Sequence, residues 1–232
     1  MIRRFFVFLA LVMIGLIFSD LVLNYTERQE LSPLAQHYAA NGPQELGAAN
    51  LVTAVIVTYR GLDTLGEVTV LFISAAGVGL LLRRSREEEE EADDAKEEKK
   101  ASSELVQTAT EVLLPMVFLF GIYVFMNGHL TPGGGFQGGA IIASGTMLLL
   151  LALPRARISR LMLGLTESLS GFAYLMVGVL GVLLAGGFLD NRIMGLGTFG
   201  SLFSAGAIPL IYAFVGLKVG SELSAVIDRF RQ

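Results

Sequence analysis

The chain of 232 residues contains no cysteine and only two histidines, His37 and His129, far apart in sequence. The first absence excludes disulfides, thiolate metal sites, iron–sulfur ligation and cysteine nucleophiles. The second argues against a histidine-based metal centre. Charged residues are also scarce, at 16%, and no basic patch with interleaved aromatics supports nucleic-acid binding. What remains is apolar: 53% of residues are hydrophobic and the mean hydropathy is +0.63, too high for an ordinary soluble domain. Glycine is abundant, 27 residues, which suits close-packed membrane helices. The net charge of −4 says little, because most of the acid sits in one run.

A bilayer core about 30 Å thick needs roughly 20 apolar residues in helical form. The run from Phe5 to Leu23 meets this. Arg3 and Arg4 before it resemble the start of a signal peptide, but the run is long for one and no small-x-small cleavage site follows, so it reads as a retained signal-anchor helix. Five further spans are expected: Glu67–Leu82, Val106–Met126, Phe136–Leu153, Leu169–Phe188 and Leu202–Val219. The stretch Ala48–Tyr59 is too short to cross and reads as a short extra helix before the second span. The expected fold is therefore all-α, integral to the membrane, with about six transmembrane helices arranged two plus four.

Lys and Arg set the orientation. Arg3 and Arg4, then Arg83, Arg84 and Arg86, then Arg155, Arg157 and Arg160, and finally Lys218, Arg229 and Arg231 all fall on one side if there are six spans. That side is expected to be cytoplasmic, with both termini on it and the cell membrane as the location. Residues 83–103 form a charged linker with almost nothing to bury. It separates a two-span module, 1–82, from a four-span domain, 104–232. Gly171, Gly178 and Ala185, with Gly181, form a small-residue stripe for helix contact, and Gly200, Ser204 and Ala207 repeat it in the last helix. Pro209 predicts a kink there.

Two segments carry polar chemistry. In Arg60-Gly-Leu-Asp-Thr-Leu-Gly-Glu67, a helix would place Arg60, Asp63, Thr64 and Glu67 on one face. Two carboxylates beside a base at a membrane edge can hold a proton or a cation. Equally, Asp63 or Thr64 can cap the helix while Glu67 favours its dipole. In Asn127-Gly-His-Leu-Thr-Pro-Gly-Gly-Gly-Phe-Gln-Gly-Gly139, Pro132 and Gly133, Gly134, Gly135, Gly138 and Gly139 imply a tight backbone between two spans, with amides available to an ion or partner. It lacks the Lys-Ser/Thr of a nucleotide-binding loop. His129 is either a proton relay or, the favoured reading, a hydrogen bond that fixes the loop. Asp20, Glu111, Glu167, Lys218 and Glu222 lie near spans. All but Glu111 sit near expected ends, where water is in reach. Glu111 either shares a polar face with Thr108 and Thr110 at the start of the third helix or, the favoured reading, snorkels to the cytoplasmic interface.

The string His129-Leu-Thr-Pro-Gly-Gly-Gly-Phe-Gln-Gly138 with its four spans resembles the MnhB-like component of Mrp-type multisubunit sodium/proton antiporters. It is similar as well to the related component of membrane-bound, hydrogen-evolving hydrogenases. Tyr59-Arg-Gly-Leu-Asp-Thr-Leu-Gly-Glu-Val-Thr-Val-Leu71 resembles the C-terminal part of the large first component of the antiporter, the MnhA-like chain. In the hydrogenases that part is a separate small subunit. Thr58-Tyr59 stands where the family often has Asp-Phe, and Leu62 where it often has Phe, so Asp63 and Glu67 are the acids that remain.

The resemblance implies a non-catalytic membrane subunit of a cation/proton-translocating module, in an antiporter or a hydrogenase-like respiratory complex. It implies Na+ or H+ as the transported ion, on a path including Asp63, Glu67, Glu111 and His129, and no cofactor in this chain. Iron–sulfur or nickel–iron centres would belong to partner chains. Expected partners are other membrane subunits, including large antiporter-like ones, hydrogenase-like soluble subunits in the respiratory case, and the bilayer. Two alternatives are an autonomous small transporter or channel, and a purely structural anchor. The halves show no inverted repeat to support the former.

Overall fold

The computed structural model describes residues 2–25, 29–90 and 102–231, and all regular structure among them is helical. Among the described residues six helices are long and apolar enough to cross a membrane: Arg4–Leu23, Gly61–Leu82, Glu104–Met126, Gly135–Ala152, Arg160–Leu184 and Ile208–Phe230. The chain divides into two compact units, 1–37 and 38–232.

The first unit holds α1, Ile2–Leu23. Its end is closed by Asn24, whose amide donates to the Asp20 carboxylate at 2.7 Å while its N–H bonds the Asp20 carbonyl. Asp20 thus acts at a helix terminus. A helix absent from the hydropathy pattern, α2 (Pro33–Leu46), follows. Pro33 occupies its first position and the Ser32 hydroxyl accepts from the Ala35 N–H, which is standard helix-start chemistry.

In the second unit α3 (Leu51–Thr53) runs into a π-helical stretch, Ala54–Tyr59, and then α4, Gly61–Glu90. This is the expected short helix before the second span. Helix α4 starts six residues earlier than hydropathy suggested, because Gly61, Asp63 and Gly66 interrupt the apolar pattern without interrupting the backbone. Its helical backbone extends through the first part of the expected linker, of which residues 91–101 lie outside the described residues. The remaining helices are α5 (Glu104–Met126), α6 (Gly135–Ala152), α7 (Arg160–Leu184) and α8 (Ile208–Arg231).

Helix α8 is the centre of this unit. In its most apolar window 56% of residues are buried within the chain and in α6 44%, against 11% in α4 and 17% in α5. Glycine permits the approach. A Cβ on Gly139 would lie 2.8 Å from the Gly216 carbonyl, and one on Gly138 2.6 Å from that of Gly121. Lipid supplies no hydrophobic drive between helices, so such close packing is what binds them. In the α7 stripe Gly178 and Gly181 face Phe188 and the Gly187–Asp190 turn, and Gly171 faces Lys218.

Two expectations about the last helix are corrected. Gly200, Ser204 and Ala207 lie in the loop before α8, not on it. Pro209 produces no internal kink, since it is the second residue of α8, in a first turn whose N–H groups have no intrahelical acceptor. The helix therefore begins six residues later than hydropathy suggested and runs on to Arg231. That displacement moves Lys218 and Glu222 from its edge to its buried middle.

Candidate functional site

The non-helical segments of the second unit gather at one end of its helices. Asn50 anchors them. Its amide donates to the carbonyls of Gly128 (2.9 Å) and Thr131 (3.0 Å), and its side-chain oxygen caps α3 through the N–H groups of Val52 and Thr53. Thr53 donates to the Gly128 carbonyl at 2.6 Å and accepts from the Tyr212 hydroxyl at 2.9 Å. The start of α3, which leads on to the Tyr59–Leu71 motif, is thereby tied to the loop that carries His129.

His129 sits in that junction, fully buried, with Nε2 3.3 Å from the Ser201 carbonyl. A carbonyl only accepts, so Nε2 carries the proton. Burial holds the imidazole below its ordinary pKa, with the nearby carbonyls of Ser201, Leu202 and Met126 pulling the other way. The following glycines serve packing. Gly134, Gly135, Gly138 and Gly139 are buried, and a Cβ on Gly128 or Gly135 would strike Tyr212 or Val215. A Cβ on Gly133 would meet the Val124 carbonyl. Only Pro132 of this motif set is exposed.

Beside the junction opens a cleft of about 590 Å³ lined by Glu45, Thr58, Tyr59, Arg60, Asp63, Asp190 and Arg192 among others. Asp63 pairs with Arg60 at 2.5 Å, and Asp190 with Arg192, whose Nε donates at 2.8 Å. Tyr59 donates to the Glu45 carboxylate. Arg192 holds Asp190 below its ordinary pKa chiefly through that hydrogen bond, while burial and Glu45 push Tyr59 above its own. Arg60 belongs to the preceding π-helical turn and not to the α4 face, because its N–H closes on the Val55 carbonyl five residues back. Thr64 turns inward to the Ile56 carbonyl at 2.8 Å, so it does not cap α4. Gly61 is required for contact: a Cβ there would lie 2.9 Å from Leu189, itself left-handed at φ 58°. Glu67, one turn beyond Asp63, is exposed in this chain.

A second polar site lies inside the helices, and sequence reading missed it. Lys218 and Glu222, 7% and 1% exposed, pair at 3.0 Å one turn apart on α8. The Lys218 ammonium stands 5.2 Å from the centre of the Phe72 ring and lines a cavity of about 250 Å³ with Glu167 and Tyr174 of α7. The usable signal was Pro209 as a helix start, which puts Lys218 mid-span. Glu111 is exposed, whereas Thr110 is buried and bonds the Val106 carbonyl, so Thr108, Thr110 and Glu111 do not share one face. Among the described residues no three His, Cys, Asp or Glu converge as a metal site.

An all-helical architecture with six candidate spans, joined by hydrogen-bonded loops at one end of its larger unit, defines a multi-pass membrane protein. The family follows from sequence. Residues 105–225 match the model described as a domain related to the MnhB subunit of Na+/H+ antiporters, and the chain belongs to that family. Residues 2–99 match the MbhE family model, which describes a component of MBH. An uncharacterized Methanocaldococcus jannaschii protein is 32% identical over 75% of this chain and 74% of its own. The MnhB-type Na(+)/H(+) antiporter component of Bacillus subtilis is 50% identical over 48 residues, 21% of this chain and only 34% of that protein. Among solved structures, a chain of the archaeal membrane-bound sulfane sulfur reductase superposes with TM-score 0.79 at 38% identity, over 99% of this chain and 98% of that one. A chain of the Mrp complex from Dietzia sp. DQ12-45-1b gives TM-score 0.75 at 28% identity, over 98% of this chain but 26% of its own.

Proposed function

We propose that this chain is a non-catalytic membrane subunit of a cation/proton-translocating complex, and that the complex is driven by a redox reaction in partner chains. The observation that carries this reading is the end-to-end likeness to one chain of a respiratory membrane complex. In the Mrp complex the same stretch is a quarter of a larger chain. Electron transfer belongs to other subunits, because a chain without cysteine offers no thiolate cluster ligands. Its partners are then membrane subunits, large antiporter-like ones included, together with hydrogenase-like soluble subunits that hold iron–sulfur or nickel–iron centres.

Ion handling starts at the cleft. Asp63, held by Arg60, presents a carboxylate at the mouth of α4, and Glu67 offers the next one about 6 Å further along at roughly 1.5 Å per residue. Na+ or H+ passing between subunits meets this pair first. The basic residues Arg155, Arg157, Arg160 and Arg229 gather at the opposite end of the second unit, which supports a cytoplasmic position for that end in the cell membrane. Both termini would then be cytoplasmic, as the charge pattern of the sequence suggests.

The test is purification of the tagged native chain in mild detergent, with co-purifying subunits identified and the Asp63→Asn/Glu67→Gln variant assayed for ion flux. Cluster-bearing soluble chains together with large antiporter-like subunits, and loss of most coupled flux in the variant, are expected. Antiporter-like subunits alone would make the complex an exchanger. Recovery of the chain by itself would favour an autonomous transporter. Intact flux in a fully assembled variant would reduce the chain to a structural anchor.

A further inference from the structure

Helix α8 buries charge where a membrane helix gains least from it. Its span covers Ile208–Phe230, so Lys218 lies roughly 15 Å from one end and roughly 18 Å from the other at about 1.5 Å per residue. Charged side chains at that depth are costly and are retained where they act on ions. Three features separate this pair from a merely neutralised one. Glu222 Oε1 is buried and has no hydrogen-bond partner among the described residues, and the same is true of the Tyr174 hydroxyl. Lys218 opens on a cavity of about 250 Å³ between α4 and α7, room for several waters at about 30 Å³ each. Two titratable groups of α7, Tyr174 and Glu167, line that cavity together with Lys218. Beyond them the buried Asp228 meets Arg160 at 3.5 Å, and Arg229 donates to the Ala75 carbonyl. On the faces of α5 and α6 toward α8 the polar groups are hydroxyls, such as Thr146, which accepts from Ser224.

We infer that Lys218 and Glu222 form an intramembrane proton-exchange site, loaded through the cavity that Tyr174 and Glu167 line. The inference rests on the ion-handling reading of Asp63 and Glu67 and extends their path inward. A proton arriving at Glu222 Oε1 neutralises the carboxylate and leaves Lys218 as an unpaired ammonium. Nζ then releases its proton to water in the cavity, on the way to Glu67 or Glu167. The Glu222 carboxyl proton passes to Nζ, restoring the ion pair. One proton enters, one leaves, and no electrons move. Tyr174, whose unpartnered hydroxyl belongs to a residue lining the cavity beside Lys218, relays that proton by donating and accepting in turn.

The discriminating variant is Lys218→Arg in the assembled complex, reconstituted in vesicles. Arginine keeps the charge and the pairing with Glu222, and the cavity has room for its guanidinium, but it does not release a proton. A structural ion pair predicts unchanged flux, whereas proton exchange predicts a fall of at least about tenfold, below the usual range for losing a proton-transfer group. An infrared difference spectrum between acid and alkaline pH supplies the second reading, independent of flux. It should contain a buried carboxyl band that disappears in Glu222→Gln. Normal flux in assembled Lys218→Arg, or no band assignable to Glu222, overturns the inference. Should Asp63→Asn/Glu67→Gln abolish flux while Lys218→Arg does not, the proposed function survives and only this site is lost. Where Lys218→Arg fails to assemble, the Glu222 band decides.

Discussion

Asn50 and His129 join segments more than 70 positions apart in the chain, and each does so with a different half of its chemistry. Asn50 uses its amide on carbonyls and its oxygen on α3, so one side chain starts a helix and ties a loop. His129 uses one imidazole N–H and is buried neutral. Its pKa in the folded chain lies below the ordinary 6.5, so between these two values the unfolded state binds more protons than the folded one. Stability therefore falls as pH drops below about 6.5, and levels off once the folded pKa is passed. Thermal unfolding in detergent, scanned from pH 7 downward, should show this decline, and His129→Gln should flatten it. A decline of equal size in the variant would assign the effect to another group. The Asp63 motif and the His129 loop were both readable as unusual local sequence. The tie that Asn50 makes between α3 and the His129 loop was not, because Asn50 carries no signal until the backbone brings the Gly128 carbonyl to 2.9 Å.

At the scale of helices, glycine has two uses that sequence does not separate. Gly138 has the Gly121 carbonyl 2.6 Å from where a methyl would go, while Gly66 has nothing within 4 Å. Gly138→Ala should then destabilise the chain by about 1–3 kcal/mol through overpacking. Gly66→Ala should leave it unchanged or raise stability by roughly 0.5–1 kcal/mol, since alanine loses less backbone entropy in a helix. Melting temperatures of the two variants in detergent check this. A large loss from Gly66→Ala would sink the contrast. The α8 boundary teaches a related lesson. Hydropathy begins the last span at Leu202, because the loop before it is apolar and small. The loop is kept out of the helix by left-handed residues Ala205 and Gly206, the latter with the Asn191 carbonyl where a Cβ would go.

Across the whole molecule, burial is uneven. Helix α8 is wrapped by its neighbours in the larger unit, whereas α4 has only 11% of its most apolar window buried and α5 17%. Those faces are left for lipid or for other membrane subunits. The loop end of the larger unit carries the cleft and the exposed Phe203, and the other end carries Arg155, Arg157, Arg160 and Arg229. With no native cysteine to compete, a single Phe203→Cys should be labelled in intact cells by a reagent that does not cross the membrane. An Arg157→Cys should react only after permeabilisation. The reverse pattern would invert the proposed orientation.

Composition and periodicity by themselves determined the class: an apolar, glycine-rich chain with runs of about 20 residues must form membrane helices, since lipid satisfies no backbone polar group. They also exposed the two motifs that mark its family. Tertiary structure alone decided what those residues meet. It packed the glycines of the His129 loop against α5 and α8. It assembled the cleft from Glu45, Asp63 and Asp190 of three separate segments, and set Lys218 and Glu222 in the buried middle of α8. The physical reason is that hydropathy averages over a window, whereas a helix boundary, and with it the depth of every charge along the helix, is set by contacts with segments far away in sequence.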